Sequence, residues 1–126
     1  MKANRLRIAV VDDEESIRKA LKRLMNSAGM DVDTYPSGVE LFDALPACKP
    51  DCIVLDLHMP VMNGFEVQDR LMQSGARLPV VVITGHDTPE SRARAMAGGA
   101  DAYLLKPIDD QVLIKAVVDA IAHFGH

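Results

Sequence analysis

Short apolar runs alternate with amphipathic stretches along this chain, and each pair reads as one strand followed by one helix. Ile8 to Val11 is a compact apolar run. After it, Ile17, Ala20, Leu21, Leu24, Met25 and Ala28 recur at helical spacing until Gly29 ends the pattern. Val32 to Tyr35 predicts a second strand. Ser37-Gly38-Val39-Glu40 has the spacing of a capping box and opens a helix with Val39, Leu41, Phe42 and Leu45 on its apolar face, up to Pro46. Cys52 to Leu55 is a third strand, and a loop from Asp56 to Asn63 leads to a helix carrying Phe65, Val67, Leu71 and Met72 that ends near Gly75. Pro79-Val80-Val81-Val82-Ile83 is continuously apolar, as a strand covered on both faces should be, and belongs at the centre of a sheet. Asp87 or Thr88 caps a fourth helix with Pro89 at its first position, closed by Gly98-Gly99. Its interior, Arg92 to Ala97, is small and weakly apolar, which predicts loose packing. Ala102 to Leu105 is a fifth strand, and Asp109 caps a last helix bearing Val112, Leu113, Ala116, Val117, Ala120 and Ile121.

Strand and helix thus alternate through five units, which predicts an α/β fold of the (βα)5 type, a doubly wound five-stranded parallel sheet. Right-handed crossovers with helices on both faces favour the flavodoxin-like order 2-1-3-4-5, with strands one and three side by side. At 126 residues the chain has the size of one domain, spanning residues 1–126. Nothing recurs at fixed spacing in residue identity, so the repetition is the strand–helix unit and not a solenoid. No apolar run approaches the roughly 20 residues of a membrane span. The charged start Met1-Lys2-Ala3-Asn4-Arg5 meets Asp12 before a signal-like apolar region develops, so a cytoplasmic setting with no membrane partner is expected. Acidic residues outnumber basic ones 18 to 14, and the basic ones are scattered apart from Arg18, Lys19, Lys22 and Arg23, which argues against direct nucleic-acid binding. Cys48 and Cys52 lack the partners of a zinc set and read as reduced thiols, Cys52 in the core. The seven methionines read as core filler.

The chemistry lies at the strand ends, where ligand and catalytic groups of parallel sheets collect. Strand one ends in Asp12-Asp13, strand three in Asp56, strand four in Thr84 and strand five in Lys106-Pro107. Taken singly these are a helix cap, a loop carboxylate, a turn hydroxyl and a surface lysine. The predicted strand order instead brings acid, hydroxyl and amine to one edge. Two carboxylates about 4 Å apart repel by about 4 kcal/mol at an effective dielectric of 20, so three in one crevice should recruit a hard divalent cation, with Mg2+ the natural choice.

With Met59-Pro60 and Gly64 following Asp56, this series resembles the receiver domain of response regulators in two-component signalling, over essentially the whole chain. Ile83-Thr84-Gly85-His86-Asp87, followed by Arg94-Ala95-Met96, looks most like the FixJ-type subgroup, whose members commonly regulate transcription. The resemblance implies that Asp56 is a nucleophile that takes a phosphoryl group from the phosphohistidine of a sensor histidine kinase. It implies that Asp13 and Asp56 bind Mg2+ directly, that Asp12 acts largely through water, and that the backbone carbonyl of His58 completes the ligands. Lys106 and Thr84 would contact the phosphoryl oxygens. Tyr103 falls at the family's switch aromatic, which turns from exposed to buried and remodels the face made by helix four, strand five and helix five. That face would form a phosphorylation-induced homodimer or meet an output domain or target protein. His58 and His86 fall at positions that tune phosphoryl lifetime in receivers, and Gly85 leaves little cover over the site. The family suggests a cis bond before Pro107, although X-Pro bonds are usually trans. Such a chain is a phosphoacceptor with self-catalysed transfer and autodephosphorylation, not a turnover enzyme. No output domain follows Phe124-Gly125-His126, so a stand-alone receiver and a piece of a longer regulator remain equal expectations.

Other functions share parts of the pattern. A haloacid-dehalogenase-like phosphatase also uses an aspartate nucleophile and Mg2+, but its general acid two residues later is here His58. A flavodoxin-like binder needs a hydroxyl-rich phosphate loop where this chain has Asp12-Asp13-Glu14-Glu15. A phosphorylation-independent interaction module is the remaining alternative, which the intact Asp56 and Lys106 do nothing to favour.

Overall fold

Five strands and five helices alternate in a computed structural model that describes residues 5–75 and 77–124. Met1 to Asn4, part of the predicted charged start, and Gly125-His126 lie outside the described residues. The strands are β1 (Arg7–Val11), β2 (Asp31–Tyr35), β3 (Cys52–Asp56), β4 (Val80–Thr84) and β5 (Ala102–Leu105). They pair in parallel in the order β2-β1-β3-β4-β5, as predicted. The helices are α1 (Glu15–Ser27), α2 (Gly38–Cys48), α3 (Gly64–Gln73), α4 (Pro89–Ala97) and α5 (Asp110–His123).

Side chains alternate across a strand, and here both faces are apolar, so each feeds its own core layer. Ile8, Val10, Cys52, Val54, Val81 and Ile83 pack with Leu21 and Met25 of α1 and Leu113, Val117 and Ala120 of α5. Ala9, Val11, Ile53, Leu55 and Val82 face the other way, onto Leu41 of α2, Phe65, Val67 and Leu71 of α3, and Ala95 of α4. All residues of β3 and β4 are buried. The unbroken apolar runs come from this double coverage.

Helix caps follow the local chemistry. Asn63 and Glu66 form a reciprocal capping box at α3, Thr88 and not Asp87 caps α4, and Asp109 caps α5. Pro46 does not end its helix. Its ring removes the N–H that would donate to Phe42 O, yet the helix runs two residues further to Cys48, and Lys49 N bonds Leu45 O at 3.2 Å before Lys49 turns left-handed at φ +49°. Met72 and Val112 were expected on buried helix faces but are 60% and 48% exposed. Met25, Met30 and Met59 are core residues as expected, whereas Met96 of α4 is exposed. Both cysteines carry free thiols, with Cys52 fully buried.

α4 is the thinly anchored element, as its composition predicts. Ala95 is its buried residue. Beyond that, Gln68 of α3 donates from Nε2 to Ala95 O at 2.9 Å, and the guanidinium groups of Arg92 and Arg94 lie 4.6 Å and 4.2 Å from the ring centres of Tyr103 and Phe65. No helix among the described residues is long and apolar enough to cross a membrane.

Candidate functional site

The register of the sheet sets the acidic groups side by side. Val11 pairs with Leu55 across β1 and β3, so the chain leaves both strands at one level, with Asp12 one residue past β1 and Asp56 closing β3. One carboxylate oxygen from each of Asp12, Asp13 and Asp56 lies within 4.8 Å of the others, with Asp12 and Asp56 buried and Asp13 exposed. Asp12 is held from below as well: its Oδ1 accepts from Glu14 N at 2.9 Å, and its own carbonyl accepts from Arg18 at 2.8 Å.

Lys106 enters from the end of β5, after which Lys106–Pro107 is cis. Its ammonium lies 2.9 Å from Asp12 Oδ2, 3.2 Å from Glu14 Oε1 and 3.5 Å from Asp56 Oδ1. The Asp12 pair is at hydrogen-bond distance but off-axis, leaving Oδ2 without a directed donor, so it is best described as an ion pair. Burial works against the ammonium. Asp12, Asp56 and Glu14 outweigh it and hold Lys106 above the ordinary lysine range.

Asp56 shows the opposite balance. Burial first, and then the charge of Asp12, push its carboxyl up to about 6, against the partial relief of Lys106 and the His58 N–H. One ammonium does not neutralise this many carboxylates. An all-oxygen donor set with uncompensated negative charge and a partly exposed Asp13 suits a hard divalent cation, and the residues present fit such an ion.

The rim is built by loops after the strands. Asp13, Glu14, Asp56, His58, His86 and Lys106 border an open cavity of about 310 Å³. Gly64 is needed beneath it: a Cβ there would lie 2.5 Å from Asp56 O and 2.7 Å from Leu57 Cα. Gly85 is different, since a Cβ there would meet nothing nearer than Lys106 Cδ at 3.8 Å, which agrees with the expected thin cover. Val61, in the loop after β3, is 95% exposed and adopts φ +69°, a rare conformation for a β-branched residue.

Thr84 and Tyr103 stand just behind the acidic groups. Thr84 is fully buried, and its hydroxyl is engaged in its own turn, accepting from His86 N at 3.0 Å and donating to His86 O at 3.3 Å. Tyr103 was expected to begin exposed, but it is buried at 8% exposure, packed in the same core layer as Val82 and Ala95 with Arg92 over its ring. Among the described residues its hydroxyl makes no well-formed hydrogen bond, and burial followed by the neighbouring Asp87 carboxylate raises the phenol above its usual range.

The structure therefore brings together Asp12, Asp13, Asp56 and Lys106, with His58 and His86 at the mouth and Thr84 turned away in its loop. Sequence reasoning missed two participants. Glu14 shares Lys106, and its signal was its place in the acidic run after β1. Gln68 is a buried polar group on the apolar face of α3, one turn from both Phe65 and Leu71.

Comparison with known proteins bears on the whole arrangement. The family model for the response regulator receiver domain matches residues 8–118. The chain is 39% identical over 102 residues to Response regulator MprA of Mycobacterium avium (strain 104), covering 81% of this chain and 45% of that protein. It is 36% identical over 115 residues to the transcriptional regulatory protein TdiR of Thauera aromatica, covering 91% of this chain and 51% of that protein. The chain thus spans about half the length of the curated relatives it matches. Among solved structures, FixJ-N superimposes with a TM-score of 0.88 at 32% identity, covering 96% of this chain and 97% of that one. Sequence, fold and the placing of the acidic strand ends agree: the chain belongs to the response-regulator receiver domain family of two-component signalling.

Proposed function

We propose that residues 1–126 act as a single receiver unit in which Asp56 accepts a phosphoryl group from the phosphohistidine of a sensor histidine kinase. The observation that carries this reading is the convergence of one nearly buried carboxylate with two further carboxylates and a lysine at the carboxyl ends of the strands. Receivers bind Mg2+ at such an acidic pocket. In this chain Asp13 and Asp56 would hold it directly, Asp12 through water, and the His58 backbone carbonyl would complete the protein ligands. When bound, Mg2+ supplies positive charge that offsets the phosphoryl oxygens.

The chain's own groups perform the rest. A carboxylate oxygen of Asp56 attacks phosphorus, the N–P bond of the phosphohistidine breaks, and the donor imidazole retains the bonding electrons. Lys106, already drawn between Asp12 and Asp56, balances charge on the transferred group. Thr84 leaves its turn contact with His86 to donate its hydroxyl to a phosphoryl oxygen. That movement alters the space beside Tyr103, which pairs in register with Val82 on the same strand as Thr84. The response is a shift between arrangements of the α4, β5 and α5 face, where Met96, Leu105 and Val112 are exposed for a second copy, an output domain or a target protein. The greater length of the curated relatives supports a place within a longer regulator, and the name of one of them, the transcriptional regulatory protein TdiR, supports an output in transcription regulation.

The test is the intact mass of wild type and Asp56→Asn after incubation with Mg2+ and acetyl phosphate. A hydroxylamine-labile phosphoryl adduct on the wild type alone is expected. No adduct on the wild type, with the donor shown active on a known receiver and Mg2+ binding established, overturns the reading in favour of a phosphorylation-independent interaction module.

A further inference from the structure

The mouth of the acidic pocket carries two histidines whose imidazole rings take no part in the proposed transfer step. His58 follows Asp56 by two positions in the loop after β3, and His86 follows Thr84 by two positions in the loop after β4. Both are exposed, and both border the same cavity as Asp56. Their ring centres lie 5.4 Å apart with the planes inclined at 69°.

That separation has a meaning in coordination chemistry. A ligating imidazole nitrogen lies about 2.0–2.1 Å from zinc with its ring centre about 1.1 Å further back, so two imidazoles on one tetrahedral ion hold ring centres about 5 Å apart. The 5.4 Å between these ring centres is close to the separation that a shared ion would set. Gly85, beside His86, adds no side chain to obstruct the mouth.

We infer that His58 and His86 form a two-imidazole site for a borderline divalent cation, Zn2+ foremost, at the mouth of the pocket above Asp56. Donor chemistry separates this site from the carboxylates beneath it. Three carboxylates suit Mg2+, whereas imidazole nitrogen suits Zn2+ and its neighbours Cu2+ and Ni2+. Water fills the remaining coordination positions, which face the open cavity, and the site is weaker than a four-ligand structural zinc centre. An ion held there stands between Asp56 and an incoming phosphodonor, so occupancy slows phosphoryl transfer. This last consequence rests on the proposed function, while the site itself does not.

The test is a calorimetric titration of Zn2+ into the full chain with Mg2+ in excess to fill the acidic cluster. Wild type, His58→Gln, His86→Gln and His123→Gln are compared, with proton NMR of the histidine rings alongside. The wild type is expected to take up one Zn2+, shifting the His58 and His86 ring signals together. Loss of either imidazole weakens binding by at least about tenfold, a loss that even outer-shell changes produce at metal sites, and His123→Gln binds as wild type. Equal affinity in His86→Gln and wild type assigns the ion to the carboxylates and overturns the inference. So does a shift of the His123 or His126 signals in place of the pair, or no uptake by the wild type. The titration involves no phosphoryl donor, so its failure leaves the role of Asp56 to be judged separately.

Discussion

Asp56→Asn should make the metal-free protein more stable at neutral pH. The folded chain raises this carboxyl from 3.8 to about 6, through burial and the neighbouring Asp12 charge. A group whose folded pKa lies above its unfolded value binds more protons when folded. Stability therefore falls as pH rises between those two values, and the full penalty stands above the upper one. A shift of about two units corresponds to about 3 kcal/mol at neutral pH. Asparagine keeps the shape, removes the charge and forfeits the 3.5 Å contact with Lys106, so the net gain is about 1–2 kcal/mol. For a chain of this length that is roughly 4–10 °C in Tm. Urea unfolding in chelator-treated buffer measures it directly: the variant's midpoint lies above that of wild type near pH 7, and the two converge as pH falls through the window. Added Mg2+ should stabilise the wild type more than the variant, because binding to the folded state adds to its stability. A variant equal to or less stable than wild type in metal-free buffer at neutral pH would refute the electrostatic reasoning.

Three further substitutions probe the frame around that charge. Lys106→Met leaves Asp12 and Asp56 without their ammonium and should destabilise the metal-free protein by about 3 kcal/mol at neutral pH, and by less near pH 5 as Asp56 takes up a proton; a pH-independent loss in urea unfolding would contradict this. Gly64→Ala forces a Cβ to within 2.5 Å of Asp56 O and should cost about 2–3 kcal/mol, read as a lower urea midpoint at unchanged m value; an unchanged midpoint would mean the loop yields freely. Val61→Gly relieves a β-branched residue at φ +69° and, since this side chain is 95% exposed, should stabilise by about 1 kcal/mol, with an unraised thermal midpoint as the contrary result.

What could be read from the chain followed from double burial. β1, β3 and β4 are sandwiched between helix layers, so their sequences are unbroken apolar runs, and turn and cap residues mark the helix starts between them. The strand ends then located the acidic cluster and Lys106. Contacts that depend on side-chain direction were not legible. Glu14 reaches Lys106 across 92 positions, a distance no local periodicity encodes. Thr84 stands at the expected strand end, but its hydroxyl turns to His86, a rotamer choice that residue type does not fix. Pro46 looked like a helix terminator because a proline removes a donor and crowds the preceding turn, yet the helix carries that cost for two further residues to Cys48, and residue type alone does not show where the chain tolerates it. Met72 and Val112 continued apolar patterns onto exposed surfaces, since periodicity marks a stripe without showing how much of it is covered.

The placement of the charge and the looseness of α4 are connected through β4. This strand is buried on both faces, so in the proposed response it would pass on a displacement at its end more readily than absorb it. Its terminal Thr84 pairs with Leu105, and Val82 pairs with Tyr103, which puts the edge of the acidic pocket two residues from the ring that Arg92 of α4 covers. On its other side α4 depends on Gln68, whose Nε2 donates to Ala95 O while its Oε1 lacks a partner among the described residues, and on the Arg94 contact with Phe65. Each of these contacts is worth about 1 kcal/mol, in contrast to the apolar burial that fixes the strands. A charge change at Asp56, whose raised pKa marks about 3 kcal/mol of unfavourable interaction, is therefore comparable with the sum of these three polar and cation–π contacts of α4. If phosphorylation of Asp56 acts as proposed, the energy of the site and the weakness of the α4 contacts are of similar size, and a local change of charge would suffice to alter the surface that α4 presents.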